Sequence, residues 1–209
     1  MKWGLIHYIF YPLLHLLHQI FLPDQFLAKG HQLYNSGLAL AVSKTIKGFK
    51  FKDENSFKGI YETFWPARMQ KINKGKLKTI SGRKFELWLD GGHNSHASEM
   101  LLQNLKKWKK NNLFLIFGMI KGKEPEDFLN KLLPYFRSIQ VIPIKEHEFI
   151  NSKNIKDIFK NFSLNIRSEP NIVEALKFLK NNYTDGKIII CGSLYLAGDI
   201  LKSNGSQIT

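Results

Sequence analysis

The sequence holds a single cysteine, Cys191, and only 17 acidic residues against 31 basic ones. One cysteine excludes a disulfide framework and a multi-cysteine zinc site, and it points to a reducing compartment. Cys191 closes the apolar run Ile188-Ile189-Ile190-Cys191, so it is expected to be a buried core thiol rather than a nucleophile. There is no Gly-x-x-x-x-Gly-Lys-Ser/Thr phosphate loop. Residues 118–123, Gly-Met-Ile-Lys-Gly-Lys, come nearest but have the wrong spacing. No internal repeat or low-complexity tract interrupts the chain.

The shortage of acid leaves a net charge of +14 and a pI near 9.7, a balance that raises nucleic acid as a partner. The lysines are scattered through the whole sequence, however, and form no basic stripe. Lys106, Lys107, Lys109 and Lys110 read as the solvated side of a helix whose apolar side is Met100, Leu101, Leu105 and Trp108. No nucleic-acid function is expected, only a general attraction for anionic small molecules. Charge is also missing from Trp3 to Leu22, a run long enough to span a bilayer. His7, His15, His18, Gln19 and Pro12 interrupt it, and each is costly or disruptive in lipid. A piece of a buried domain is the favoured reading, with a membrane-associated segment as the alternative. The histidines lack the i, i+4 spacing of a helical metal pair, so no metal site is expected.

What is present is a regular alternation. Gly30 to Lys47 has helical spacing, and an amphipathic segment, Phe57 to Phe64, ends at Trp65-Pro66, where the residue before proline is biased out of the helix. The boundary is placed there, with residues 1–65 as a partial helical remnant of an N-terminal domain and 66–209 as a second domain. Lys76–Ile80 and Lys84–Leu89 flank Ser81-Gly82-Arg83 and read as a hairpin. Strands are expected at Phe85–Leu89, Leu113–Phe117, Ile139–Ile144, Leu164–Arg167 and Lys187–Cys191. Helices are expected at Ser95–Lys110, Glu124–Phe136, Asn154–Phe162, Asn171–Tyr183 and Leu194–Lys202. The fold class is therefore α/β: a mostly parallel, doubly wound (Rossmann-like) sheet of five or six strands with helices on both faces.

Trp88-Leu-Asp-Gly-Gly-His-Asn94 places an acid, two glycines, an imidazole and an amide between a strand and a helix. Ligands bind at such carboxyl ends in open sheets. In order, Gly30-His31-Gln32-Leu33-Tyr34-Asn35, Trp65-Pro66-Ala67-Arg68-Met69-Gln70, Asp90 to His96, Phe117-Gly118-Met119 and Cys191-Gly192-Ser193-Leu194-Tyr195 make an ordered set. Over about residues 22–209 this set resembles the C-terminal part of the folylpolyglutamate synthase and dihydrofolate synthase family, Mur-ligase-like ATP-dependent amide ligases. The resemblance implies ATP-dependent addition of L-glutamate to a folate or dihydropteroate through an acyl phosphate, with Mg2+ as cofactor, in the cytoplasm. It also leads us to expect that the phosphate loop and magnesium ligands belong to a separately encoded ATPase domain, and that this chain alone is inactive. A non-catalytic remnant or weak nucleotide-binding module is the alternative.

By the same resemblance Asn35, Arg68 and Asp90 contact ATP. An amide suits a purine edge, a guanidinium pairs with phosphate oxygens, and a carboxylate accepts from ribose hydroxyls. Without the ordered set these would read as a helix-facing amide, a surface arginine and a helix cap. His93 and Ser193, each just past a strand end, are the candidates for holding glutamate, and His93 is also the candidate catalytic side chain. Asn94 reads as the cap of the following helix. Ala67 stands where the family usually has glycine, Gly92 where it has alanine, and Ser95 where it has proline. Ala67 could shift the linker that aims Arg68.

Overall fold

A computed structural model describes residues 31–46, 48, 52–108 and 112–205. The uncharged run Trp3–Leu22 lies outside the described residues. The chain divides into two compact units, Met1–Trp65 and Pro66–Thr209. In the first, α1 (His31–Thr45) and α2 (Asp53–Glu62) are the described elements. On α1, Gly37 and Leu40 are buried, whereas Leu38, Val42 and Ile46 are exposed at i, i+4, i+8 spacing. Among the described residues no helix is long and apolar enough to cross a membrane.

The second unit follows the order β1 (Gln70–Ile72), α3 (Lys76–Ser81), β2 (Phe85–Leu89), α4 (Ser95–Lys107), β3 (Leu113–Phe117), α5 (Pro125–Leu129), a 3-10 turn at Leu133–Tyr135, β4 (Ser138–Val141), α6 (Ser152–Ile158), β5 (Asn165–Ser168), α7 (Ile172–Asn182), β6 (Gly186–Cys191) and α8 (Leu194–Asn204). The strands form one sheet in the order β1-β2-β6-β3-β4-β5. Only β1 is antiparallel to its neighbour; the other four pairings are parallel. This is the mostly parallel, doubly wound α/β fold expected from the alternation. The chain leaves β2, winds outward through β3, β4 and β5, then returns to slot β6 between β2 and β3.

Side-chain alternation divides the strands between two cores. Phe85, Leu87, Phe114, Ile116, Ile188 and Ile190 face one way and pack with Leu176 and Leu179 of α7 and Leu196 and Ile200 of α8. Leu113, Leu115, Phe117, Ile189, Ile139 and Val141 face the other way and meet Leu101 and Leu105 of α4 and Ile155 of α6. Every residue of β3 is buried, as a central strand covered on both faces requires. Three of the helices start on asparagine side-chain caps: Asn94 accepts from Ala97 N–H, Asn151 from Asn154 N–H, and Asn171 from both Val173 and Glu174 N–H.

Two expected elements are different. Lys76–Ile80 is not a strand but most of α3, with Leu77 and Ser81 buried at i, i+4. Five residues are too few to separate period 2 from period 3.6, and Gly75 and Gly82 bracket a single tight turn. The antiparallel partner of β2 is instead β1, with Gln70 opposite Leu89 and Ile72 opposite Leu87. The helix expected over Glu124–Phe136 stops at Leu129 and resumes only as the 3-10 turn. Pro134 has no N–H for the carbonyl four residues back, and its ring would collide with that carbonyl.

On the outer face of β2, Glu86 is held between Lys187 (2.8 Å) and Lys71 (3.1 Å) and also accepts from the Trp88 indole (3.3 Å). Lys71 and Lys187 lie over the Trp88 and Trp108 rings respectively. Partial burial disfavours the Glu86 charge, but hydrogen bonds and attraction from Lys187 and Lys71 outweigh it and lower the pKa from the ordinary 4.5 to about 2. A lowered folded pKa stabilises above the unfolded value and is lost as pH falls. Wild type should therefore lose stability relative to Glu86→Gln between pH 4.5 and 2. Because the carboxylate is 37% exposed, screening limits this to about 1 kcal/mol. Urea unfolding of both proteins across that range checks it; parallel curves would refute it.

Candidate functional site

The carboxyl end of β2 carries Asp90, whose own N–H continues the ladder to Ile190 C=O at 2.9 Å. Each oxygen of its carboxylate accepts a backbone N–H. Oδ1 accepts from Gly92 N–H at 2.7 Å, and Oδ2 accepts from Met69 N–H at 2.9 Å. The first bond tightens the loop toward α4. The second ties that loop to the segment entering β1. Gly91 N–H donates to Ala67 C=O at 2.8 Å, and Gln70 Oε1 accepts from Ala67 N–H at 2.9 Å. The entering segment is thus stapled along its length.

That segment is strained. Ala67 has φ +55° and Met69 φ +44°, both in the left-handed region. For a residue with a Cβ this costs about 1 kcal/mol or more. The position that the family resemblance marks as usually glycine is therefore one where the backbone itself favours glycine. Ala67 offsets part of the cost by burying its methyl in the core. The strained bend throws the half-buried Arg68 over the β2 loop. A methyl added to Gly91 would collide with Leu194 and sit 3.1 Å from Arg68 Nη1. At Gly92 a methyl would come within 2.7 Å of both Ala97 Cβ and Asp90 Oδ1, so this chain requires glycine there.

The β6 end lies alongside. Gly192 N–H donates to Gly92 C=O at 3.0 Å, and Gly118 N–H donates to Cys191 C=O at 3.2 Å, so the ends of β2, β6 and β3 are laced together. Ser193 is buried and caps α8, its Oγ accepting from Tyr195 N–H at 3.1 Å. The hydroxyl proton stays free for another acceptor. His93 Nδ1 lies 3.1 Å from Gly91 C=O, which fixes a proton on that nitrogen and leaves Nε2 for a partner. Burial, and then the Asp90 charge, push the Cys191 thiol well above its usual value. Cys191 is accordingly an inert core thiol, as its apolar run suggested.

Arg68, Asp90, His93 and Ser193 thus meet at one edge of the sheet, around the ends of β2 and β6. Asn35 belongs to the other unit, exposed on α1. Asp90 carries a second duty that motif reading does not reveal, since its partner Met69 is 21 residues away. The exposed Tyr195, packed in a tilted pair with His147 at 4.1 Å between ring centroids, is a further aromatic beside Ser193. Tyr195 lay within a quoted motif, whereas His147 carried no sequence signal. Among the described residues no group of three or more His, Cys, Asp or Glu side chains could hold a metal ion.

Comparison with known proteins gives this geometry a context. The family model described as the dihydrofolate synthetase C-terminal domain matches residues 71–203. A folylpolyglutamate synthase of Lacticaseibacillus casei is 24% identical over 182 residues, covering 81% of this chain and 37% of that protein. The structure of Mycobacterium tuberculosis folylpolyglutamate synthase complexed with ADP and AMPPCP aligns with a TM-score of 0.69 at 19% identity, covering 85% of this chain and 40% of that one. A bifunctional folylpolyglutamate synthase/dihydrofolate synthase with Mn, AMPPNP and L-glutamate bound aligns at a TM-score of 0.63 and 17% identity, covering 82% of this chain and 39% of its own. At such identities the structural likeness establishes the fold. The chain spans about two-fifths of the length of these relatives.

Proposed function

Because the chain belongs to the family of the dihydrofolate synthetase C-terminal domain, we propose that it forms the glutamate-side lobe of an ATP-dependent ligase joining L-glutamate to a folate or dihydropteroate. The observation that carries this reading is the convergence of Arg68, Asp90, His93 and Ser193 at the ends of β2 and β6. In such a reaction the acceptor carboxylate attacks the terminal phosphorus of ATP, the bond to the β-phosphate oxygen breaks with ADP leaving, and an acyl phosphate forms. The amine of glutamate then attacks the carbonyl carbon, phosphate leaves with the bonding electron pair, and the amine loses a proton. Most of the acceleration comes from holding the partners in line and neutralising phosphate charge.

The chain's own residues divide these tasks. Arg68, aimed by the strained bend, pairs with phosphate oxygens through its planar fork. The Asp90 carboxylate, placed at the end of β2, accepts from ribose hydroxyls. The Ser193 hydroxyl and His93 Nε2 hold the glutamate, where the N-termini of α4 and α8 also favour a carboxylate. Magnesium would supply neutralisation of phosphate charge, and it would be held by residues of an ATPase domain acting with this lobe.

Binding of AMPPNP to this chain, measured by calorimetry, tests the reading. Arg68→Ala should weaken it about tenfold, or about 1.4 kcal/mol, for the loss of one partly exposed charge-assisted pair. Unchanged affinity would remove Arg68 from the nucleotide site.

A further inference from the structure

At the opposite edge of the sheet, by the amino ends of β2, β3 and β6, lies a cavity of about 710 Å³. It is separated by the length of the strands from Arg68 and Asp90, and the reaction proposed above makes no use of it. Its lining is strongly one-sided in charge. Arg83, Lys84, Arg137 and Lys180 face it against a single acid, Asp185.

That acid is already occupied: Asn112 Nδ2 donates to it at 2.7 Å, and the Thr184 hydroxyl lies 3.2 Å away. Among the described residues, Arg83, Lys84 and Lys180 make no ion pair.

Basic side chains at helix C-termini have a bland explanation, since they complement carbonyl ends. The magnitudes show that it is insufficient. The C-termini of α3 and α7 supply about half a negative charge each. With Asp185, the negative side amounts to about two charges against four cations, so about two positive charges remain uncompensated. One of the cations packs on an aromatic ring, and a second lies alongside the backbone. Arg137 lies 5.5 Å from the centre of the Tyr183 ring, which packs on Phe114 at 4.4 Å. Lys180 reaches across Gly82, where an added methyl would touch its Cε at 3.6 Å. Cations packed in this way spend less rotamer freedom on binding than free surface lysines.

We propose that this cavity is a second ligand site, binding a small oxyanion that carries two or more negative charges as phosphates or carboxylates. Tripolyphosphate and citrate are the probes, titrated separately into the full chain at about 150 mM salt, where diffuse attraction is screened. Amide NMR shifts should saturate at Gly82, Arg83, Asn181 and Asp185. Binding of one probe alone assigns the group it carries, and binding of both assigns charge number as the criterion. Arg83→Gln with Lys180→Gln alters exposed side chains only, and an unchanged spectrum elsewhere verifies the fold. It should weaken the response tenfold, whereas Arg68→Gln should change it less than twofold. The proposal is overturned if neither probe saturates, if shifts move only around residues 67–69 and 90–93, or if the double variant binds like wild type.

Discussion

Replacing Gly192 by alanine is expected to cost about 3–5 kcal/mol, a large part of the stability of a domain this size. Two independent penalties add. The first is backbone: φ is +115°, a region that L side chains rarely adopt, worth about 1–3 kcal/mol. The second is steric, because the new methyl would stand 2.6 Å from Gly118 C=O and 2.7 Å from Phe117 Cε2. Neither neighbour can yield easily. The carbonyl belongs to the β3 end, and Phe117 is fully buried between β3 and Phe128. Overpacking of this kind costs about 1–3 kcal/mol. Gly205→Ala separates the two terms, since Gly205 has φ +75° but nothing within 4 Å of a new methyl. It should lose only about 1 kcal/mol. Urea midpoints for the two variants decide the matter, and equal losses would show that the Gly118 contact constrains nothing.

The severity of Gly192→Ala follows from how the sheet is wound. β6 enters last and sits between β2 and β3, so its end must close against both. Gly192 donates to Gly92 on one side, while Gly118 donates to Cys191 on the other. The same lacing that excludes a side chain brings Ser193 to the loop bearing His93. Stability and site geometry share one set of backbone contacts here.

The parts of this fold legible in sequence were those with a strong local period. β3 is a continuous apolar run, α7 repeats its apolar residues at helical spacing, and both lie within a residue or two of their expected bounds. Asn94 advertised its helix through cap chemistry. Lys76–Ser81 did not, because in six residues Leu77 and Ile80 satisfy either period, and tertiary packing of Leu77 decides. β1 was invisible for a related reason. Three residues, only one of them buried, carry no pattern, and their pairing with β2 is set by Asp90 reaching back to Met69. At the site, ordered motifs singled out Arg68, Asp90, His93 and Ser193. The contacts that aim them depend on loops meeting across the sheet edge, and the cavity by Arg83 and Lys180 joins four stretches distant in sequence.

Asp90→Ala is the second large expected effect, and it separates positioning from contact. The substitution removes two hydrogen bonds to a charged acceptor, leaving Gly92 and Met69 N–H without their oxygen. Bonds of this type contribute about 1.5–3 kcal/mol each. Asp90 is half-buried, so water replaces part of the loss, and a net cost of about 2–3 kcal/mol is expected. The damage should concentrate in the entering segment. Ala67 and Met69 keep their left-handed conformations only because the surrounding bonds over-determine them, and without Oδ2 the strain favours release. Hydrogen exchange at Met69 should accelerate at least about tenfold, well beyond any change in β3. Asp90→Asn retains one acceptor but turns an N–H donor toward the other amide, so it should fall between wild type and alanine. Arg68 follows the segment, and AMPPNP affinity should drop even if Asp90 never touches the nucleotide. The double variant with Arg68→Ala resolves this. An effect no larger than Arg68→Ala alone would mean that Asp90 acts by aiming the guanidinium. Fully additive losses would mean that its carboxylate meets the nucleotide directly. Unchanged exchange at Met69 in Asp90→Ala would refute the latch itself.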